Sequence, residues 1–434
     1  MLDIQFIREN ADLVAEKSRQ KGYDVDIEQL LGFDKERRQL QTQVEDLRRE
    51  RNEIAASMKG QKPSVEQVAK GREVKDQLTD LEHKLSSIDQ EFQALLKKVP
   101  NMPAADVPVG VSEDENQVVK TVGEPTTFAF EPKNHWEIGE ARGWIDKERA
   151  AKVTGARFAY IKGDLVQLQF AIIQFVLNTL TDEETIARLI EENNLRLKPK
   201  AFVPILPPLM IREDTYDQMD RLEPREDRYH IEGDDDRLWL IGSAEHTLGS
   251  MYAGEILPES DLPLRYIGYS TSFRQEAGTY GKDNEGILRM HQFDKLEMET
   301  FSTAETGADE HLLMVAIQEY LMQQLGIPYH VLMKCTADIG KPNARGVDIE
   351  AWLPGQNKYR ETHTADFMTD YQARRLKTRV KRGDGTTALI HTNDATAFAL
   401  GRTMIAVIEN FQTERGTLRV PEVLRSYLGG RAEI

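Results

Sequence analysis

The stretch EQLLGFDKERRQLQTQVEDLRRERNEIAASM, residues 28–58, decides how the N-terminal part of the chain folds. Its apolar residues recur at alternating steps of three and four once Arg37 and Arg51 are counted, which is the heptad pattern of a coiled coil. After a breaker at 60–64 the pattern resumes. We therefore predict two helices of roughly 30 residues that fold back as a hairpin about 45 Å long. The apolar seam residues are Phe33, Leu40, Val44, Leu47, Ile54 and Met58, then Val74, Leu78, Leu81, Leu85, Ile88, Phe92 and Leu95.

The charge of this arm, residues 28–97, does not identify what the arm binds. The whole chain has a formal net charge of -17, whereas residues 28–99 hold 14 Lys plus Arg and 14 Asp plus Glu. Phosphate binding draws on clustered Lys and Arg, but acidic residues interleave with the basic ones near the tip. Periodicity alone favours a spacer or a dimerisation device over RNA binding. The basic residues near the tip are Arg48, Arg49, Arg51, Lys59 and Lys62.

The remainder of the chain divides into a linker and a larger body. Residues 106–132 contain helix-breaking prolines and predict a linker between an N-terminal domain, 1–105, and a body, 133–434. Within the N-terminal domain, residues 4–20 predict one short amphipathic helix that precedes the arm.

The body mixes helical and β-type segments. Helical stretches at 146–154 and 164–194 alternate with short β-type runs at 264–269 and 348–353. This alternation predicts an α+β fold class, with the coiled-coil hairpin added at the N-terminus.

Composition excludes several kinds of protein and site. Hydrophobic residues make up 40% and charged residues 30% of the chain, and no apolar stretch is long enough to predict a membrane span. The N-terminus lacks the order of a signal peptide, so we expect a cytoplasmic protein. Cys335 is the only cysteine, which excludes an intramolecular disulfide and a zinc site built on several thiolates. A buried structural thiol is the expectation.

Two arginine-containing segments are the candidates for chemistry, because the chain has no Walker loop, no GxGxxG after a strand and no HExxH. Phe273–Gly278, a polar loop and then Leu288–Glu297 fit a strand, a loop and a returning strand. Ala399–Met404 runs into an apolar helix. A guanidinium such as that of Arg274 can grip phosphate and carboxylate groups. Each arginine alone is more often part of a structural ion pair, but together they indicate a reaction that joins those two groups.

These segments resemble the seryl-tRNA synthetase family of class II aminoacyl-tRNA synthetases, in its bacterial-like form without zinc. Phe273–Glu276 is similar to the second class-defining motif, Gly401–Thr403 to the third, and Leu206–Pro208 to the first. The resemblance covers almost the whole chain and implies a catalytic domain built on an antiparallel β-sheet flanked by helices. The further runs that carry it are His135–Gly139, Glu148–Val153, Tyr359–Glu361, Asp370–Arg375, Ala406–Asn410 and Val420–Arg425.

The resemblance implies a two-step reaction. L-Serine and ATP, with Mg²⁺, give seryl-adenylate, and the seryl group then passes to the 3′ end of tRNA(Ser); tRNA(Sec) stays open as a second acceptor. In the family the coiled-coil arm grips the tRNA, and the enzyme is a homodimer.

The resemblance also implies roles for individual residues. Arg274, Glu276 and Arg402 are the catalytic residues, with Arg274 on the α-phosphate and the serine carboxylate and Arg402 on the γ-phosphate. Glu361 and Thr364 are the magnesium ligands, both with oxygen donors that suit this cation. The implied ATP-binding residues are Arg274, Gln275, Glu276, Met290, Phe293, Glu361, Thr362, His363, Thr364 and Arg402. The implied serine-binding residues are Ser243, Ala244, Glu245, Arg274, Glu297 and Thr396.

Several positions depart from the family pattern. Ser243 stands where the family commonly has threonine and keeps the hydroxyl. Asp394 stands where many members have asparagine, and His363 where serine is common. The segment 175–200 is longer than the family leads us to expect.

Two alternatives remain open at this level. A synthetase-derived ligase that charges a carrier protein typically lacks a coiled-coil arm, so the predicted arm disfavours it. An inactive paralogue that only binds RNA or another partner is disfavoured by the presence of Arg274, Glu276, Glu361 and Arg402.

Overall fold

The computed structural model describes residues 1–59, 64–233, 237–277 and 285–434. These fall into two compact units, Met1–Met102 and Pro103–Ile434. The first unit is helical, and its helices are α1 Ile4–Glu9, α2 Ala11–Gln20, α3 Ile27–Ser57 and α4 Val65–Leu96.

Side chains cap both long helices of the first unit. Asp26 accepts a hydrogen bond from the backbone N–H of Gln29 at 2.8 Å at the start of α3. Ser64 and Gln67 form a capping box at the start of α4. The prediction of one helix over 4–20 is wrong, because Asn10 adopts φ -135° and ψ 37° and its side chain donates to the carbonyl of the preceding turn.

The predicted heptad seam lies between α3 and α4, which confirms the helical hairpin. Among its members Val44, Val74, Leu78 and Phe92 are buried. The helices are antiparallel, since Arg37 pairs with Asp89 at 3.4 Å near one end and Lys70 with Glu50 at 2.9 Å near the other. The predicted breaker and Lys62 fall largely in 60–63, outside the described residues.

The second unit contains the strands, which in chain order are β1 Gln117–Val122, β2 Ile145–Asp146, β3 Tyr160–Ile161, β4 Val203–Ile205, β5 Met210–Arg212, β6 Leu238–Leu240, β7 Ile256–Pro258, β8 Leu264–Phe273, β9 Gln292–Ser302, β10 Tyr329–Met333, β11 Arg345–Leu353, β12 Lys358–Thr369, β13 Arg379–Lys381, β14 Thr387–Leu389 and β15 His391–Ala399. Eight described strands form one sheet in the order β1-β10-β11-β12-β15-β9-β8-β4. Every junction is antiparallel except β4–β8. The predicted α+β class with an antiparallel sheet is therefore confirmed.

The helices of the second unit are α5 His135–Ala141, α6 Lys147–Thr154, α7 Asp164–Leu180, α8 Glu183–Glu192, α9 Glu213–Gln218, α10 Glu245–Leu248, α11 Gly307–Leu325, α12 Tyr371–Leu376 and α13 Leu400–Asn410. The stretch 164–194 is helical as predicted, but it is divided into α7 and α8. Asp182 accepts a hydrogen bond from the backbone N–H of Thr185 at 3.1 Å, so it caps a new helix and ends the old one. No helix among the described residues has the length and hydropathy needed to cross a membrane.

The main core packs α7, α11 and α13 against the large sheet. On β9, Leu296 and Met298 belong to this core. Successive side chains of a strand point to opposite faces, so Lys295, Glu297 and Glu299 lie on the other face. All three charged residues are nevertheless buried.

The segment 106–132, predicted as the linker, contains β1, which pairs with β10 at the edge of the sheet. The contacts of the chain place this segment in the second unit. The side chains of this segment do not indicate that it belongs to the sheet, because Val118 and Val119 of the edge strand are exposed. Cys335 is buried as expected, and its thiol donates to the carbonyl of Ser112 at 3.2 Å.

Candidate active site

A cleft lies where the end of β8, the strands β9, β12 and β15, and the start of α13 come together. Segments far apart in the chain meet here because these strands are neighbours in the sheet. The predicted site residues that line the cleft are Arg274, Glu276, Met290, Phe293, Glu361, Thr362, Thr364, Thr396 and Arg402.

Arg274 is held from two sides. Its Nε donates to the carbonyl of Gly242 at 3.1 Å, and its guanidinium carbon lies 5.4 Å from the centroid of the Phe293 ring. A cation over an aromatic face is attracted by the quadrupole of the ring. The side chain is therefore fixed at the junction of β8 and β9. Close by, the carboxylate of Glu276 pairs with Arg289 at 3.2 Å.

Arg402 and Glu361 join α13 to β12. The Nη1 of Arg402 donates to the carbonyl of Glu361 at 2.9 Å and lies 3.0 Å from its Oε1. Burial would raise the pKa of Glu361, but the charges of Arg402 and Lys334 hold it below its ordinary value. This carboxylate is therefore ionised at neutral pH.

A β-bulge explains why both Glu361 and Thr362 line the cleft. The pairing of β11 with β12 shifts register between Ile349 and Glu350, which leaves Thr362 unpaired. After the bulge the alternation resumes, so that Thr364 reaches the cleft and His363 does not. The His363 ring packs 5.2 Å from the Phe398 ring, and burial lowers its pKa to about 3.

The side chains of Gln275 and Ala244, also predicted for the site, do not line the cleft either. Gln275 donates through its Nε2 to the carbonyl of Arg228 at 2.7 Å, and Ala244 is buried. Gly278, in the predicted loop, is outside the described residues, as are 279–284.

The predicted serine-binding residues meet beside the cleft. The Nζ of Lys295 contacts the Ser243 hydroxyl at 2.9 Å and the Glu297 carboxyl at 2.6 Å. Thr396 of β15 is paired across the strands with Glu297. Since Lys295 and Thr396 also line the cleft, they connect it directly to this second subsite. Sequence reasoning missed Lys295, although its two-residue spacing from Glu297 places both on one face of a strand.

The same face carries an acidic pocket, which we define as Glu245, Glu297, Glu299, Asp366 and Asp394. All five are buried. Burial and the charges of Glu245 and Asp394 raise the pKa of Glu297 to about 8, although Lys295 opposes the shift. Burial would also raise the pKa of Glu245, but the charges of Lys295 and Arg221 hold it below its ordinary value. Glu245 therefore keeps its charge far more readily than Glu297.

Arg221 balances part of this pocket. Its Nη2 donates to Asp394 at 2.9 Å and lies 3.9 Å from Asp366. Asp394, which stands where many members of the family have asparagine, therefore has a cationic partner, Arg221, that the sequence did not predict. Sequence reasoning also missed Glu299, whose carboxylate oxygens are buried and make no hydrogen bond within the described part of the chain.

Comparisons with known proteins agree along the whole chain. Residues 1–103 match the family model of the seryl-tRNA synthetase N-terminal domain, and residues 229–411 match that of the tRNA synthetase class II core domain (G, H, P, S and T). The serine–tRNA ligase of Symbiobacterium thermophilum is 38% identical over 98% of both chains. That of Citrifermentans bemidjiense is 38% identical over 100% of both.

Solved structures show the same similarity. The seryl-tRNA synthetase of Pyrococcus horikoshii, complexed with ATP, matches with a TM-score of 0.88 and 37% identity over 100% of this chain and 99% of that chain. The cytoplasmic serine-tRNA ligase of Naegleria fowleri, in complex with AMP, matches with a TM-score of 0.85 and 27% identity over 100% and 98%. The chain therefore belongs to the seryl-tRNA synthetase family of class II aminoacyl-tRNA synthetases.

Proposed function

We propose that the cleft activates L-serine with ATP and that the enzyme then charges tRNA(Ser). A carboxylate oxygen of serine attacks the α-phosphorus, the bond to the β-phosphate oxygen breaks, and pyrophosphate leaves. A ribose hydroxyl at the tRNA 3′ end next attacks the seryl carbonyl carbon, and AMP leaves. The observation that carries the proposal is that a cleft with two cationic arginines opens onto the subsite of Ser243, Lys295 and Glu297.

Arg274 and Arg402 would supply the positive charge that this reaction needs. Negative charge builds up on the phosphates as the carboxylate attacks, and fixed guanidinium groups stabilise it without reorganising. Arg274 would bridge the α-phosphate and the serine carboxylate, and Arg402 would hold the γ-phosphate. The adenine ring would stack on Phe293 beside Met290, with its amino group toward Glu276.

The acidic pocket suits the two polar groups of serine. Glu245, whose pKa lies below its ordinary value, would bind the ammonium group. Glu297, with its raised pKa, and Thr396 would bind the hydroxyl. A subsite whose buried polar groups need partners rejects an analogue that lacks the hydroxyl, which favours serine over alanine.

Glu361 and Thr364 fit Mg²⁺, because the cation prefers carboxylate and hydroxyl oxygens. The described residues contain no group of three His, Cys, Asp or Glu side chains placed to hold a metal ion. Phosphate oxygens of ATP would therefore complete the coordination shell. When bound, the ion would neutralise charge on the phosphates.

We extend the proposal to the partners that the family implies. The arm would bind tRNA(Ser), with tRNA(Sec) as a second candidate acceptor, on basic residues along one face. Two copies of the chain would form a homodimer through the segment that contains Pro207 and Pro208. We place the enzyme in the cytoplasm, where tRNA is charged.

Serine-dependent exchange of pyrophosphate into ATP tests the activation step. We expect exchange with serine, and we expect Arg274→Ala to lower it by at least about a thousandfold, since a fixed charge at the reacting phosphate is lost. Arg415→Ala is the matched control, because Arg415 is 78% exposed in its side chain and pairs only with the surface residue Glu433 among the ion pairs of the described residues. If no amino acid supports exchange, the proposed function is wrong. Near-normal exchange in Arg274→Ala would refute the role of that residue.

A further inference from the structure

His135 is a buried residue that the proposed reaction does not use. It begins α5, where Asn134 and Glu137 form a capping box, and it is 1% exposed. One ring nitrogen, Nδ1, lies 3.1 Å from Oε1 of Glu409, and the other, Nε2, lies 3.2 Å from the backbone nitrogen of Ile287. The ring therefore connects three segments that are far apart in the chain.

The contacts assign the tautomer of this histidine. The backbone N–H of Ile287 can only donate, so Nε2 must accept and carry no proton. The proton of the neutral ring then sits on Nδ1 and is donated to the carboxylate of Glu409. That carboxylate also accepts from the backbone N–H groups of His135 and Gly355, at 3.2 and 3.0 Å, and from Nε2 of Gln356 at 3.1 Å. Glu409 is thus a fixed anchor for the ring.

Gly286 adds a steric constraint at the same contact. Its φ of +66° lies in the left-handed region, and a Cβ built there would stand 1.9 Å from Nε2 of His135. No side chain fits between this backbone and the ring. The chain at 286–287 is therefore held against His135 by close packing as well as by a hydrogen bond.

The held segment leads directly into the cleft. Ile287 and the three residues that follow it all line the cleft. The carbonyl of Ile287 lies 3.4 Å from the position that a Cβ of Gly401 would occupy. Gly401, Arg402 and Glu409 all belong to α13. His135 consequently fixes the distance between one wall of the cleft and the helix that carries Arg402.

We propose that His135 is a positioning residue for ATP, which holds the cleft wall at 287–290 in register with α13 through Glu409. This inference rests on the proposed function, because it takes the cleft to be the ATP site. The serine subsite around Glu297 makes no contact with this connection among the hydrogen bonds of the described residues. ATP binding should therefore depend on His135 far more than serine binding does.

The test is steady-state pyrophosphate exchange in His135→Ala, with thermal unfolding measured in parallel. We expect the KM for ATP to rise by about tenfold, the size of one lost hydrogen bond to a fixed partner, while the KM for serine changes less than about twofold. Equal rises in both KM values, or an unchanged KM for ATP, would overturn the proposal. Tyr329→Phe is the control, since it removes two hydrogen bonds in the core, at 2.8 and 2.9 Å, away from the cleft.

Two conservative variants separate positioning from a general structural role. Gln places an acceptor near the Nε2 position, so His135→Gln keeps a partner for Ile287 and should recover most of the ATP affinity. Asn reaches only the Nδ1 position, so His135→Asn keeps the contact with Glu409 but leaves Ile287 without a partner. This variant should not recover the ATP affinity. Equal behaviour of the two variants would contradict the proposal.

A further substitution covers the case in which His135→Ala does not fold. Gly286→Ala leaves the ring in place but forces the backbone away from it, so the KM for ATP should again rise and that for serine should not. Calorimetric titration with ATP alone keeps the two proposals distinguishable. If wild-type protein binds ATP but shows no exchange, the proposed reaction fails, while a weaker affinity for ATP in His135→Ala still supports the positioning role.

Discussion

Arg221 has a residue-scale role that follows from its surroundings. It lies against Asp394 and near Asp366, both buried, and Glu245 adds a further negative charge. Burial raises the pKa of Asp394 to about 7, with Arg221 opposing the shift and Glu245 adding to it. The guanidinium therefore offsets part of the negative charge on this face of the sheet, as Lys295 does beside Glu297.

We predict that Arg221→Met lowers the free energy of unfolding by about 2 kcal/mol at pH 7, because the buried and partly ionised carboxyl group of Asp394 loses its cationic hydrogen-bond partner. The double variant Arg221→Met with Asp394→Asn should recover at least half of that loss, since removing both charges is far less costly than removing one. Urea unfolding followed by circular dichroism measures both values.

The control for this pair lies on the surface. Arg415 and Glu433 are 3.1 Å apart with side chains 78% and 39% exposed. Arg415→Met should therefore cost less than about 1 kcal/mol. A double variant at Arg221 and Asp394 that is no more stable than the single variant would show that the two residues are not energetically coupled.

At the scale of elements, Asp34 ties α1 to α3. Its carboxylate accepts two hydrogen bonds from Arg8, both at 2.8 Å, and another from Arg38 at 3.1 Å, and it is fully buried. Burial would raise the pKa of Asp34, but the hydrogen bonds and charge of Arg8, with the charges of Arg38 and Arg37, lower it below its ordinary value. The base of the arm is thus held by a buried ionic contact in addition to the apolar seam.

We predict that Asp34→Asn lowers the stability of the first unit by about 2 kcal/mol at neutral pH, because a buried carboxylate loses charge-assisted hydrogen bonds from arginines that are themselves partly exposed. A lowered pKa stabilises the folded state above the unfolded pKa, and this contribution is lost as the pH falls through the folded pKa. The difference between wild type and variant should therefore shrink in acid, below about pH 4. Hydrogen exchange of the amides of α1 and α3, measured at several pH values, gives this difference in stability.

A surface pair on the arm provides the comparison. Glu82 pairs with Arg48 at 2.7 Å, but both side chains are about half exposed. Glu82→Gln should change the opening free energy of α3, as measured by hydrogen exchange, by less than about 1 kcal/mol at any pH. A pH-independent effect of Asp34→Asn would mean that the exchange of a hydrogen-bond acceptor for a donor, and not the loss of charge, explains the loss of stability.

At the scale of the whole molecule, the cleft and the arm belong to different compact units. Every described residue that lines the cleft lies in Pro103–Ile434, and so does the main core. The arm lies in Met1–Met102. Activation of serine and binding of tRNA should therefore be separable by deletion.

We predict that deleting residues 28–97 leaves serine-dependent pyrophosphate exchange within about threefold of wild type and abolishes charging of tRNA(Ser). The exchange assay and a charging assay with the same preparation measure the two activities. Unchanged charging would refute the role of the arm. Loss of exchange would instead show that the second unit depends on the first for its fold.

Features with local causes could be predicted from the amino-acid sequence. The heptad seam needs only spacing along one chain, so the long helices were predicted from spacing and confirmed in α3 and α4. The class-defining segments around Arg274 and Arg402 could also be located, because contiguous runs of residues carry them. Their individual roles remain proposals.

Features with long-range causes required the folded chain. Two local breaks, the cap at Asp182 and the altered backbone at Asn10, were also missed, because the hydrophobic period continues across both of them. The edge strand β1 has exposed side chains and is defined by backbone pairing with β10. The contacts of Arg221 with Asp394, and of His135 with Ile287, join residues more than 100 positions apart. Such contacts depend on which strands and helices become neighbours, and hydrophobic spacing along the chain carries no information about that.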